Sequence, residues 1–444
     1  MIGEDYMEIV RKFTKYVSLN IFAMIGMSCY ILADSYFISV AEGANGLATL
    51  NLVLPVYNFI FAMGSMIGLG SATRFTIDRA RGKEKAGTYF SNAVIWALVF
   101  GMIFMALGGI FPEKVVKLMG GDGELIAIGT VYTRIFMLFA PAFMLNFIWG
   151  AFVRNNGAPT LAMVATLTSS FSNILLDYLF MFPLKMGMAG AALATGISPL
   201  ISIGICSLHF IGKENQITFQ FHKPSGRKLI ESCKLGVSGF VGEMSTGVTT
   251  IVFNVIMLRL LGNVGVAAYG VIANFSLVAI SIFNGLAQGS QPLISHYYGG
   301  NKHKAVRRIL KMALITELVI SFLVLGSVYM FTDFFVSLFN SEHSMRLAEY
   351  AYEGLRMYFL GLPFAGFNIV GIGYLGAVER ARPAMAAAIL RGLVAIVGFA
   401  LLLSVCFGAR GAWLAFLAAE FVTGMVTLFN LQGVGGRQCS DIVD

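Results

Sequence analysis

Asn173 and Asp177 stand four residues apart inside an apolar run from about Thr160 to Phe182. On a helix they share one face. The run is long enough to cross a bilayer, and an acid held mid-membrane costs about 2.5–3.5 kcal/mol on insertion scales. Such a pair either faces a cavity and binds something or glues two helices together through an interhelical hydrogen bond. Asp34 in the first apolar run and Thr195 in the run after Asp177 add two more oxygen donors. Asp34, Asn173, Asp177 and Thr195 together suit a hard cation such as Na⁺, or a proton relay. Two acids close together in a low dielectric cannot both ionise cheaply unless a cation joins them.

The elements that must hold these groups are helices in lipid. The chain has 444 residues, 57% of them hydrophobic and 12% charged, with mean hydropathy +0.78. A soluble domain carries about 25% charged residues, so an all-α polytopic membrane protein is expected. Twelve transmembrane helices are expected, at roughly 14–40, 47–73, 88–110, 128–152, 160–182, 187–211, 231–260, 265–294, 308–331, 347–376, 384–406 and 410–431. The polar segment 212–230 divides them into two six-helix lobes, 1–211 and 231–444. The mixed-charge stretch Met1–Lys15 does not read as a cleavable signal peptide. Cys29, Cys206, Cys233, Cys406 and Cys439 are scattered without a CxxC pair, as in a reduced chain without disulfides.

The net charge of +8 is distributed as membrane topology requires, not as a nucleic-acid patch. Alternate loops and the termini hold 22 Lys and Arg and the opposite loops hold 6, so both termini and the linker are expected in the cytoplasm. An internal repeat supports the even span count. Gly43-Ala44-Asn45-Gly46-Leu47-Ala48 resembles Gly262-Asn263-Val264-Gly265-Val266-Ala267, Lys83-Glu84-Lys85-Ala86 matches Lys302-His303-Lys304-Ala305, and Pro141 and Asn146 match Pro363 and Asn368. The halves are pseudo-symmetric and parallel, an arrangement that places a substrate site near the midplane between them.

Within that register Asp34 pairs with Phe253, and Asp177 falls opposite an apolar stretch near Leu401. Scaffold glue would recur in both halves, so the asymmetry favours a binding role for the two acids. The second half offers Glu243, Gln288, Gln291, Glu317, Asn368 and Glu420 inside or near spans. Most of the 38 Phe, 16 Tyr and 23 Met pack or face lipid. Near the midplane, Met24, Met27, Tyr30, Phe37, Met63 and Tyr132 are candidates for an adaptable apolar cavity whose ring faces attract lipophilic cations. Glu243, Gln288 and Asn368 complete the candidate substrate set. Trp96, Trp149 and Trp413 read as interface anchors or packing residues. Enzyme signals are weak. None of His209, His222, His296, His303 and His343 lies clearly mid-membrane, and HExxH, GxSxG and Walker motifs are absent.

These stretches resemble the multidrug and toxic compound extrusion (MATE) family of the multidrug/oligosaccharidyl-lipid/polysaccharide exporter superfamily. The resemblance spans essentially the whole chain. It rests on Leu32-Ala33-Asp34-Ser35-Tyr36-Phe37-Ile38 followed by Gly46-Leu47-Ala48, and on Arg154-Asn155-Asn156-Gly157-Ala158-Pro159. It rests also on Asn173-Ile174-Leu175-Leu176-Asp177, on Gly190-Ala191-Ala192-Leu193-Ala194-Thr195, and on Glu243 at the family's acidic position in span 7. The resemblance implies two lobes in a V, alternating access, and efflux of lipophilic organic cations and drugs in exchange for H⁺ or Na⁺. Its first-lobe cation site maps onto Asp34, Asn173, Asp177 and Thr195. No cofactor beyond the coupling ion, no nucleic acid and no partner beyond the lipid bilayer is implied, and a monomer in the plasma (inner) membrane is expected. Two features depart from the pattern. Span 1 lacks the usual proline within Val17-Ser18-Leu19-Asn20-Ile21, and span 10 carries Asn368 but no acid. A flippase for a lipid-linked precursor is the alternative within the superfamily. It would need a cavity rich in Arg and Lys, for which only Arg134, Arg356 and Arg391 are candidates. An intramembrane enzyme is the remote alternative.

Overall fold

Every regular element in the computed structural model is helical. The structure describes all residues except 1, 122, 213–214, 216, 218, 221–222, 340–343 and 441–444, and no strand occurs among those described. His222, His343 and Lys213 lie outside them. Helices are the form in which an apolar segment satisfies its own backbone in lipid. Nine helices among the described residues are long and apolar enough to cross a membrane, or ten with the bent pair Leu125–Leu138 and Ala140–Asn155 taken as one span. Two of these, Gly226–Gly299 and Ala381–Gln432, are each broken by a left-handed glycine, Gly262 (φ 66°) and Gly408 (φ 61°). Counting their arms separately is consistent with twelve spans.

The breaks recur in pairs. Gly43 and Gly262 lie 219 residues apart, Gly82 and Asn301 219, Gly157 and Glu379 222, and Gly187 and Gly408 221, all with positive φ. An L side chain in the left-handed region crowds its own carbonyl, which is why six of these eight positions are glycine. Proline breaks recur as well. Pro141 opens the helix Ala140–Asn155, bent 45° from Leu125–Leu138, and Pro363 opens Leu362–Ala377 after a 3₁₀ turn at Phe359–Gly361. Each lacks the N–H that would continue the preceding helix.

The chain packs as two compact units, Met1–Glu243 with Ser295–His303, and Met244–Ile294 with Lys304–Asp444. The first unit thus keeps the opening turns of span 7 and the close of span 8. Gly70 and Gly236 make this possible: a Cβ at Gly70 would strike the Ser232 carbonyl, and one at Gly236 the Met66 carbonyl. The core of the first unit joins Ile60, Ile67, Phe75, Phe90, Phe143 and Phe152, with Tyr57, Phe61, Phe136 and Phe143 in mutual ring contact. In the second unit Phe253, Ile272, Phe283, Leu355 and Trp413 form the core, and Tyr358 stacks on Phe416 at 4.2 Å. Trp413 is a packing residue, fully buried, while Trp149 donates to Ser207 Oγ at 2.9 Å.

The described part of the linker is anchored to the first unit. Gln220 N donates to Ser91 Oγ (2.9 Å), Ser225 N donates to Asn92 Oδ1 (2.8 Å), and Ile217 is buried. Helix resumes at Gly226, capped by Ser225, so the polar connection is shorter than its composition predicts. Arg154 also differs from expectation. A cation just ahead of Gly157 and Pro159 is expected in a loop, yet it is 9% exposed at the end of span 4, where its Nη1 donates to Asn20 Oδ1 at 3.1 Å. The rest of that motif is fastening too: Thr76 Oγ1 donates to Asn155 Oδ1 and Arg79 Nη1 to Asn156 Oδ1, both at 2.8 Å.

Candidate functional site

Spans 1, 5 and 6 set the level of the two acids. Spans 5 and 6 are Pro159–Met181 and Gly187–Ile211, joined by a short turn and therefore antiparallel. Ser169 Oγ donates to the Ser198 carbonyl across them at 2.7 Å. One turn further along span 5 is Asn173, and one turn back along span 6 is Thr195, so the two face each other. Asp177 follows Asn173 by one more turn. Span 1 runs beside span 5: Gly26 lies against Leu167 near one end, and Phe37 meets Tyr178 (6.3 Å between centroids) and Phe182 (5.8 Å) near the other. Asp34, three residues before Phe37, is therefore level with Asp177, one before Tyr178. Tyr30 lies one turn before Asp34 on span 1.

These side chains are dry and under-satisfied. Asn173 is 1% exposed, Asp177 0% and Thr195 6%, while Asp34 is half-buried. Asp34 Oδ1, both Asp177 carboxylate oxygens, the Asn173 amide and Thr195 Oγ1 are shut off from solvent and accept or donate no hydrogen bond within the protein. Buried polar groups are normally paired, and leaving one unpaired costs about 1–3 kcal/mol. Interhelical glue would show the opposite pattern, with the amide and carboxyl bonded to neighbouring helices. The cluster instead presents oxygen ligands without partners, which fits a Na⁺ ion or a transferable proton. Among the described residues no three His, Cys, Asp or Glu converge as a transition-metal site would require.

Tyr30 stands beside the cluster, its hydroxyl 3.5 Å from that of Tyr57. Tyr57 was not among the sequence candidates; its lone hydroxyl in the apolar stretch after Pro55 was the available signal. Tyr132 is buried and stacks on Phe136, and Met63 packs on the same core. Met27 and Phe37 are half-buried on span 1. Glu243 is half-buried at the end of the first unit. Gln288 and Asn368 belong to the second unit. Gln288 is half-buried there. Asn368 is fully buried, and its Nδ2 donates to the Glu420 carbonyl and to Glu420 Oε2, both at 2.8 Å. Glu420 in turn accepts from Arg391 Nε at 2.8 and 3.0 Å, a buried ion pair that the sequence did not reveal. Glu317 accepts from Ser321 Oγ (2.6 Å) and lies against Gly366, where a Cβ would collide with its carboxyl.

The chain is similar to known proteins along nearly its whole length. It is 27% identical over 404 residues to the multidrug export protein MepA of Staphylococcus aureus (strain MRSA252), covering 90% of this chain and 88% of that one. To the MepA protein of Staphylococcus saprophyticus it is 28% identical over 406 residues, again covering 90% and 88%. The fold superposes with a TM-score of 0.88, at 24% identity and 96% coverage of both chains, on an outward-facing multidrug resistance MATE family transporter of the MOP superfamily. The MatE family model matches residues 20–179 and 241–402, one stretch in each half of the repeat, and the chain belongs to the MatE family.

Proposed function

We propose that this multi-pass membrane transporter, which is not an enzyme, exports lipophilic organic cations by alternating access in exchange for Na⁺ or H⁺. One observation carries the reading: the buried, unpartnered oxygens of Asp34, Asn173, Asp177 and Thr195 in the first unit. With one monovalent cation on these oxygens, one of the two carboxylate charges is offset and the repulsion between the acids is relieved; when it leaves, the cost returns. The loaded and unloaded states then favour different arrangements of the lobes, the differential affinity that a switch requires. Tyr30, Tyr132, Met27, Met63 and Phe37 supply aromatic and thioether surface for an organic cation, and Glu243 supplies a charge beside them. The relatives named above as multidrug export proteins support drug-like cargo. The 22-to-6 bias of basic residues supports cytoplasmic termini and an even number of spans, and we read the chain as a plasma-membrane monomer of two six-helix lobes.

A flippase reading gains nothing from the three arginines. Arg134 is exposed, Arg356 lies over the Tyr352 ring (4.4 Å) and donates to the Tyr329 carbonyl, and Arg391 is held by Glu420. The test is ethidium efflux in everted vesicles with Na⁺ and pH gradients imposed separately. Export driven by one of the two gradients is expected, and export driven by neither refutes the exchange.

A further inference from the structure

Spans 3 and 9 are repeat copies, and one face of them is used differently in the two units. The register that matches 83–86 with 302–305 continues into the helices Thr88–Ile110 and His303–Met330. The core-facing positions keep it: Ala86, Phe90 and Val94 are buried in the first unit, and Ala305, Ile309 and Ala313 in the second. The adjoining face does not. In the first unit it carries neutral acceptors that the linker covers. Ser91 Oγ accepts from Gln220 N, Asn92 Oδ1 from Ser225 N, and Thr88 Oγ1 from Lys228 Nζ. Ser91 and Asn92 are buried there. The matching positions in the second unit are Arg307 for Thr88, Leu310 for Ser91 and Lys311 for Asn92. Arg307 and Lys311 are exposed, and among the described residues neither has a hydrogen-bond or ion-pair partner. No Asp or Glu falls between Lys302 and Lys311. An open groove of about 320 Å³ runs along this face, lined by the two cations and by Leu310, Leu314, Ile315 and Leu318. From Arg307 to Leu318 the helix rises about 16 Å, close to half of the roughly 30 Å hydrocarbon thickness. The two cations stand one turn apart on one face and offer only N–H donors, so their complement offers only acceptors. The side chains beyond them are apolar, and Ile315 and Leu318 are exposed. A phosphate ester that carries an acyl chain meets both ends of this groove, whereas an inorganic anion meets one.

We propose that this groove on span 9 binds an anionic phospholipid, with its phosphate between Arg307 and Lys311 and an acyl chain along Leu314, Ile315 and Leu318. The lipid takes, in the second unit, the face that the linker covers in the first. The site follows from the chain being a membrane protein and stands apart from the exchange reading. That the lipid belongs to the inner leaflet rests on the topology proposed above.

The test uses the full-length chain, purified in a nonionic detergent and offered phosphatidylglycerol, phosphatidylcholine or inorganic phosphate. Bound lipid is counted by native mass spectrometry, and thermal unfolding is followed in parallel. Phosphatidylglycerol should be retained and should raise the melting temperature, and neither phosphatidylcholine nor inorganic phosphate should do so. Arg307→Gln/Lys311→Gln should weaken retention of phosphatidylglycerol roughly tenfold or more. Lys302→Gln/Lys304→Gln, which removes the same charge from the same basic stretch, should retain it as the wild type does. If the groove double variant does not fold, Arg307→Gln and Lys311→Gln are read singly, each with a severalfold loss expected. The proposal is overturned if the groove and control variants retain the lipid equally, since charge alone then attracts it. It is overturned also if inorganic phosphate stabilises as well as the lipid does. Retention only after residues 441–444 are deleted would give the groove to the acidic end of this chain, with Asp441 and Asp444, and would overturn it too.

Discussion

Asp177 has both carboxylate oxygens buried and without a donor, and Asp34 lies within reach of it, so the two acids share one electrostatic problem. Asp34→Asn and Asp177→Asn should each abolish gradient-driven export while equilibrium drug binding is retained. Wild-type export by both variants would remove the site assignment, and equal loss of binding and export would place the drug on the acids themselves. Glu243 differs, since it is half-buried in the same unit but is not part of the orphaned set. Glu243→Gln should weaken apparent affinity for a cationic dye by roughly tenfold, the equivalent of about 1.4 kcal/mol, at normal protein levels. Fluorescence titration of the purified variant checks this, and an unchanged Kd counts against a substrate role. Arg154 is a residue of stability. Its guanidinium is buried, its Nε is unpartnered, and Asn20 supplies its acceptor. Asn20→Leu should cost about 1–3 kcal/mol, measured as a lowered melting temperature, with coupling intact in the protein that folds.

At the scale of elements, the closest approach in the first unit is between span 2 and the opening of span 7. Gly70 and Gly236 lie against each other's backbones, and Gly239 lies 2.8 Å, by its absent Cβ, from Ser65 Oγ. The end of span 8 joins them, with Gly299 against Ile77. Small residues allow backbones to meet in this way in membrane helices. Because the obstacle is backbone and not a flexible side chain, overpacking has no rotamer to relieve it; its typical cost is about 1–3 kcal/mol. Gly70→Val should therefore lower the melting temperature more than Gly150→Val, where a Cβ meets nothing within 4 Å. Equal melting of the two variants would show that the contact is not held in solution. Span 1 has no proline; within it Asn20 Nδ2 donates to the Tyr16 carbonyl and Ser28 Oγ to the Met24 carbonyl, each one turn back along the helix.

Over the whole molecule, the repeat and the charge bias carry the reading of topology. The paired positive-φ turns and the paired prolines mean that one six-helix plan is used twice. An even number of spans in each copy is expected to return the linker to the side on which the chain began. Lys223 is exposed in that linker. Lys223→Cys, in a background lacking the native cysteines, should resist a membrane-impermeant maleimide in intact cells and react after permeabilisation. Labelling from outside would invert the topology. Arg154 is one of the 22 basic residues on the expected cytoplasmic side; it is buried, and the bias stays lopsided at 21 against 6 without it.

Helix class, approximate span positions and the repeat were determined by the sequence alone, because lipid demands long apolar helices and most of the turns and breaks between them take a glycine or a proline at a fixed place. Gly43 with Gly262 and Pro141 with Pro363 were readable for that reason. Asp34, Asn173, Asp177 and Thr195 were readable as candidates because a polar atom in an apolar run is costly wherever it sits. That Asn173 and Thr195 face each other, and that their polar atoms are left without partners, was decided only by how spans 1, 5 and 6 pack. The fate of the remaining charges was likewise tertiary. Glu420 and Arg391 lie 29 residues apart on different helices, joined through a π-helical stretch that no local pattern announces. Arg154 looked like a loop cation until Asn20, 134 residues away, enclosed it. Composition and period report what each helix costs in a membrane, whereas the pairing of polar groups between helices depends on rotations and close contacts that only the packed chain fixes.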